Sequence, residues 1–108
     1  MNKMKNKNQP SIESSIGALD DLIHSKIRLA IMTILMSVEK AQFTYLKKLT
    51  QTTDGNLSVH LTKLEDAEYI SVEKRFVRKR PQTTCKITEQ GRRAFEKYID
   101  VLERIIKK

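Results

Sequence analysis

Hydrophobic residues fall at helical spacing over most of this chain and at alternate positions in one short part of it. The clearest stretch is 54–67, DGNLSVHLTKLEDA. There Leu57, Leu61 and Leu64 stand at i, i+4 and i+7, so they share one side of a helix. The other side carries Asn56, Ser58, Val59, His60, Thr62 and Lys63, mostly short polar groups, with acids following only at Glu65, Asp66 and Glu68. Upstream, Ile27, Ala30, Ile31, Ile34, Leu35 and Val38 form a broad apolar face, with Ser25 as N-cap and Met32 and Met36 near its edge. Phe43 reads as a lone buried anchor on a short extended segment. Thr44 then caps a brief helix over 45–50, with Leu46 and Leu49 inward. Gln51, Thr52 and Thr53 make a tight turn, and one of the two threonines caps the 54–67 helix. Two short helices joined this way, the second with a polar face, form a helix-turn-helix arrangement.

After Glu68 the period changes to two. Ile70, Val72, Lys74 and Phe76 alternate with Ser71, Glu73 and Arg75, the pattern of a half-buried strand. Thr83–Ile87 reads as a second strand. The connection VRKRPQ contains Pro81, which cannot donate to a ladder and so belongs in the loop or at a sheet edge. Thr88 caps a last helix over 88–107. Its stripe of Phe95, Tyr98, Leu102 and Ile105, widened by Ile99 and Ile106, exceeds what one small domain needs and is read as a dimer seam, the alternative being packing onto its own domain only. Ile12, Ile16 and Leu19 repeat near a helical period and are read as packing on a second subunit or on that helix. At 108 residues this is one domain, 12–108, preceded by a polar arm over 1–11 with Lys3, Lys5 and Lys7 that is expected to be disordered.

Charge sharpens the picture. The net charge is +8, which favours a polyanionic partner. Over residues 74–86 the chain has Lys74, Arg75, Arg78, Lys79, Arg80 and Lys86 and no acid, so the expected hairpin has a basic tip. Cys85 stands alone, which excludes an intrachain disulfide and fits a reducing cytoplasm; it reads as a small packed hydrophobe, and its redox activity is left open. With only His24 and His60 beside it, no metal-ligand spacing exists. No apolar run approaches the roughly 20 residues of a membrane span, and the basic start is not followed by the apolar segment of a secretory signal.

The segments HSKIRLAIMTIL (His24–Leu35), FTYLKKLTQTTDGNLSVHLTKLEDAEYI (Phe43–Ile70), EKRFVRKRPQTTCKIT (Glu73–Thr88) and EQGRRAF (Glu89–Phe95) occur in this order over most of the chain. Together they resemble the short, single-domain winged helix-turn-helix transcriptional regulators related to the MarR and ArsR groups. The resemblance implies a mainly α fold with a small β-hairpin (α+β): a three-helix core, a wing and a long C-terminal dimerisation helix. It implies sequence-specific binding of double-stranded DNA by a homodimer. Asn56, Ser58, Val59 and His60 would face bases in the major groove. Thr52, Thr53, Gly55 and Lys63 would meet the phosphate backbone. Lys74, Arg75, Arg78, Lys79 and Arg80 would form the wing, of which Arg78, Lys79 and Arg80 would reach the adjacent minor groove. Two positions depart from the family pattern: relatives often carry a long basic or polar side chain at Val59 and a glycine at Glu68. The clustered Cys or His of ArsR-like metal sensors is missing, so metal sensing and cofactors are not carried over.

The reading is thus a DNA-binding transcriptional regulator, expected to repress by occlusion from a pseudo-palindromic operator. The alternative is a winged-helix adaptor that docks on protein, favoured mildly by Glu65, Asp66 and Glu68. RNA binding is weaker, because the six aromatics suggest no surface stacking platform. Catalysis is not expected: Ser58 and His60 stand at i and i+2, which do not face each other on a helix, and Gly17, Gly55 and Gly91 build no phosphate-cradling loop. The sequence names no effector; a cleft near Met32, Met36 and Tyr98 is where an apolar one would fit.

Overall fold

The computed structural model describes residues 16–107. The arm expected over 1–11 and Ile12 of the expected seam lie outside them. The elements are α1 (Lys26–Val38), β1 (Lys40–Gln42), α2 (Phe43–Thr50), α3 (Asp54–Asp66), β2 (Ile70–Val77), β3 (Arg80–Ile87) and α4 (Glu89–Ile106). The sheet is antiparallel in the order β1-β3-β2. This is the winged-helix architecture, with the short extended segment before α2 recruited as a third strand through Lys40–Lys86, Ala41–Cys85 and Gln42–Thr84.

The helix starts follow from their caps. Ser25 accepts from the Arg28 N–H, Thr53 from the Asn56 N–H and Thr88 from the Gly91 N–H, each satisfying a donor that the first turn leaves without an intrahelical partner. Gln42, not Thr44, is the N-cap of α2 and makes no side-chain bond there. Phe43 opens that helix instead of sitting on a strand, because β1 stops at Gln42.

One core joins every layer. Ile31, Met32 and Leu35 of α1, Leu46 of α2 and the three leucines of α3 meet Ile70, Cys85 and Ile87 of the sheet and Phe95 and Tyr98 of α4. Each leucine so buried contributes about 1.5–3 kcal/mol relative to exposure. Met32, expected at the edge of the α1 face, is completely buried in this core. Cys85 is likewise buried; desolvation, with Glu65 adding, pushes its thiol up to about 11, so thiolate is scarce at neutral pH.

The hairpin is longer than its sequence suggests. The strands pair from Ile70–Ile87 out to Val77–Arg80, leaving Arg78 and Lys79 as a two-residue turn. Pro81, expected in the connection or at its edge, lies within β3 one pair from the turn, in the outer part of the strand that β1 does not reach. Glu68 supplies the sharp turn that glycine often supplies, by adopting a left-handed φ of 65° itself.

Behind the hairpin, three elements converge on the chain at Glu68 and Tyr69. The Thr88 hydroxyl donates to the Glu68 carbonyl at 2.6 Å, and the Thr88 N–H donates to the Tyr69 carbonyl at 3.0 Å. The Tyr69 hydroxyl donates to Asp20 at 2.5 Å, and Asp20 also accepts from the N–H groups of Leu22 and Ile23. Burial, then that bond and the Asp20 charge, hold the Tyr69 phenol up at about 12. Gly91 lies against this backbone so closely that a Cβ there would be driven into the Tyr69 carbonyl. Gly91→Ala is therefore expected to destabilise by about 3 kcal/mol, at the top of the usual overpacking range, because rigid main chain must yield. Urea unfolding should show a lower midpoint at unchanged slope.

Candidate nucleic-acid interface

α3 is fixed at its start by a small polar network. The Thr53 hydroxyl accepts from the Asn56 N–H at 3.1 Å, and the Asn56 side-chain amide donates to the Thr52 hydroxyl at 2.7 Å. Asn56, read as facing bases, thus has one amide proton committed within the turn and its carbonyl oxygen left as an acceptor. Asp54 sits in the first turn, where the helix dipole favours an acid. Lys47 of α2 pairs with it at 2.8 Å, offsetting its negative charge at the start of the helix. Gly55 lies open, with nothing within 4 Å of a Cβ placed there, so the helix N-terminus can be approached along its backbone.

With Leu57, Leu61 and Leu64 buried, the helical period turns Val59, Thr62 and Lys63 to solvent. Val59 is 53 % exposed. Ser58 stands toward the hairpin and is exposed. Together with Leu61, Thr62 and Glu65 it lines a groove of about 300 Å³, whose other wall is Val72, Lys74 and Thr83 of the hairpin. The exposed side of α3 and the inner face of the hairpin therefore open on one common space. Thr62 belongs to this wall although its sequence position marked it only as polar.

The hairpin's cations divide between its two faces. Lys74 points into the groove with α3. Arg75 stands on the opposite face and is bound to Glu73 at 2.8 Å, which holds the Glu73 carboxyl below its usual range. Both side chains are well exposed, so Arg75 is a surface cation held in a weak ion pair on the face away from α3. Arg78 and Lys79 occupy the turn with φ of 53° and 65°. Positive φ at both positions is the two-residue geometry that ordinarily selects Asn-Gly. Arg80 follows at the open edge of β3, beside Phe43 and Thr44.

His60 lies on the other flank of α3, half-buried against α1. Arg28 reaches it across the core: its Nε donates to the Leu22 carbonyl at 2.6 Å and its Nη1 lies 2.9 Å from His60 Nδ1. A guanidinium only donates, so Nδ1 is the acceptor and the ring proton sits on Nε2. Burial, then Arg28, then Lys63 lower the His60 pKa below 6.5. At pH 7 the ring is a neutral, oriented donor. Arg28 is a positioning residue that sequence reasoning missed; the pair is separated by 32 positions, and no local spacing signals it.

Along the expected seam, Phe95 and Tyr98 are turned into the protomer's own core, with Val101 buried beside them. These two cannot serve as an open seam; the stripe covers its own domain because the core needs a lid on α1. Tyr98 also holds His24, hydroxyl to Nδ1, at 2.8 Å. Leu19, Ile99 and Leu102 pack partly against the same core. Ile105 is half-buried, and Ile16 and Ile106 are exposed. Met32 is completely buried, and Tyr98, though largely buried, lines a cavity of about 240 Å³ with Asp20, Tyr69 and Lys97 and not with Met32 or Met36, so the three do not share one cleft. No group of three His, Cys, Asp or Glu gathers as a metal site among the described residues, and no helix there is long and apolar enough to cross a membrane.

Comparison with known proteins places this geometry. The profile described as winged helix DNA-binding domain matches residues 27–106. An uncharacterized protein of Methanocaldococcus jannaschii is 40 % identical over 78 residues, 72 % of this chain and 85 % of its own. The structure of a transcriptional regulator homologue from Pyrococcus horikoshii OT3 superposes with a TM-score of 0.78 at 26 % identity, covering 89 % of this chain and 93 % of that one. The fold also matches an ArsR family transcriptional regulator, with a TM-score of 0.55, 17 % identity and coverage of 92 % and 96 %.

The Arg28–His60 pair gives a pH signature. Below about 6.5 the unfolded chain binds a proton that folded His60 resists, so acidification through that range lowers stability. Nitrogen NMR of the His60 ring should show the Nε2–H tautomer at pH 7 and a midpoint below 6.5. Arg28→Met should raise that midpoint toward 6.5; an unmoved midpoint would mean that Arg28 exerts no control over the ring.

Proposed function

The chain belongs to the winged helix DNA-binding domain family, and on that footing we propose that it is a homodimeric, sequence-specific DNA-binding regulator that represses by occluding its site. In this reading α3 enters the major groove, with Ser58, Val59, Thr62 and His60 toward base edges and the Thr53–Gly55 turn and Lys63 toward phosphates. Arg78, Lys79 and Arg80 extend to the flanking minor groove. The exposed Ile106 and Ile16, with Ile105, supply apolar surface for a two-fold contact. Such a dimer presents two α3 helices about 34 Å apart, one helical turn of DNA.

One observation carries the reading. Arg78 and Lys79 occupy left-handed positions, which disfavour a side chain by roughly 1–2 kcal/mol each. A hairpin selected for stability alone would place Asn-Gly there. Two cations held at an unfavourable backbone position, on the hairpin that shares a groove with α3, point to a polyanion as their partner.

The double variant Arg78→Asn/Lys79→Gly separates stability from binding. Its urea midpoint is expected to rise, by about 1 kcal/mol or more in stability, because the turn is relaxed. Its affinity for duplex selected from a random pool should fall, and its salt slope should become shallower by about 1.8 per bound protomer. An unchanged affinity and slope would remove the wing from the interface. A wild-type chain that binds no duplex at low salt but holds a protein partner would favour the adaptor reading.

A further inference from the structure

The inner face of the hairpin is a ladder of four rows running out from the core: Ile70 with Ile87, Val72 with Cys85, Lys74 with Thr83, and Phe76 with Pro81. The first two rows roof the core, and the third lines the groove beside α3. The fourth lies beyond the protein. Phe76 is 76 % exposed and Pro81 is exposed beside it. In a two-residue hairpin the closing pair, Val77 with Arg80, exchanges the ladder hydrogen bonds. The next pair is then the non-hydrogen-bonded kind, whose side chains approach more closely. Phenylalanine and proline thus form one apolar tip on the face that looks toward the α3 groove.

At that exposure Phe76 adds nothing to the core, and its contribution to the fold is limited to the cross-strand contact with Pro81. Nor does its setting suit a protein partner with an apolar face: Arg78, Lys79 and Arg80 follow it in the chain, and the nearest acid, Glu73, is spent on Arg75. An apolar tip ringed by cations matches a surface that is anionic at its rim and aromatic within, which is a DNA groove. Proteins that bend the duplex from the minor groove do so by pressing Phe, Leu, Ile, Met or Pro between base pairs.

We infer that Phe76, backed by Pro81, is a wedge that enters a base step of the minor groove and unstacks it, while Arg78, Lys79 and Arg80 hold the flanking phosphates. This rests on the DNA-binding reading above. The wedge favours steps that open easily, pyrimidine–purine steps such as TA, and so selects sequence where no hydrogen bond reads a base.

The test uses a duplex of about 30 base pairs recovered from the random pool, with 2-aminopurine placed in turn at adenines of the flanking steps. Wild-type binding should raise the fluorescence of one flanking step, the mark of unstacking. Phe76→Ala should abolish that rise and weaken binding about tenfold, within the range for loss of one base–aromatic contact. Its salt slope should stay the same, since no charge is lost. Phe76→Leu, still a wedge, should retain most of the signal. Because Phe76 is exposed, the urea midpoint of both variants should equal that of the wild type. Tight wild-type binding without a fluorescence rise, or a rise that survives Phe76→Ala, overturns the wedge and leaves the regulator reading standing. A wild-type chain that binds no duplex overturns both. A Phe76→Ala chain that sediments as a smaller species than wild type overturns the wedge by assigning the tip to contact between copies.

Discussion

The close approach of the α4 start to the Tyr69 main chain governs the direction of the hairpin. α3 ends at Asp66 and β2 begins at Ile70, so only a few residues set the angle between the helix and the wing. Within that short span Glu68 takes a left-handed φ, Thr88 binds the carbonyls of both Glu68 and Tyr69, and Gly91 lets α4 come against them. The Tyr69 hydroxyl ties the same point to Asp20 before α1. These bonds are individually modest, about 1 kcal/mol net each. Their joint effect is geometric: they fix how the inner face of the hairpin meets the open side of α3, and any groove shared by the two depends on that angle.

Among the described residues, five non-glycine positions with positive φ mark where local preference yields to position. Glu39 and Gln51 close α1 and α2, Glu68 follows α3, and Arg78 and Lys79 make the wing turn. At the first three sites the chain must change direction quickly to keep Leu35, Leu46 and Leu64 against one core. Burial of those leucines, several kcal/mol for each truncated to alanine, outweighs a strain of about 1 kcal/mol apiece. No such burial stands behind Arg78 and Lys79, which are exposed. A positive φ thus follows from packing at the helix ends, where Glu39 and Gln51 differ in ψ, while at the wing it has no packing cause and fits the charge placement proposed above.

Much of this was legible in the sequence because it rests on period and caps. The leucine stripe of α3, the Ser25 and Thr88 caps, the helix-turn-helix and the alternation of β2 are local patterns, and the structure places each where the pattern did. What escaped depends on distance or competition. The Arg28–His60 bond joins positions far apart in the chain. Phe95 and Tyr98 have the spacing of a seam, and spacing does not say whether a stripe faces its own core or a second copy. The β2 alternation continues through Phe76, but the core ends two rows earlier, so a residue in register to be buried is exposed. Pro81 suggested the connection or its edge because proline breaks ladders; it is tolerated in β3 because β1 stops short of it.

The makeup of α3 itself leads to the tip of the wing. Its outward side offers no arginine, glutamine or lysine at its centre, only Val59, with Ser58, Thr62 and the His60 Nε2–H around it. Bidentate pairing to guanine needs Arg or Lys and to adenine Asn or Gln; the centre of the helix has none of these, Asn56 at its start has its amide tied to Thr52, and valine meets nothing but a thymine methyl. In the proposed complex direct readout by such a helix would be sparse, and discrimination between sites would then draw on how readily the duplex deforms. The molecule carries the parts for that mode of reading at the far end of the hairpin: a rigid two-residue turn, cations on both sides of it, and an uncovered aromatic ring on the face that meets the helix groove.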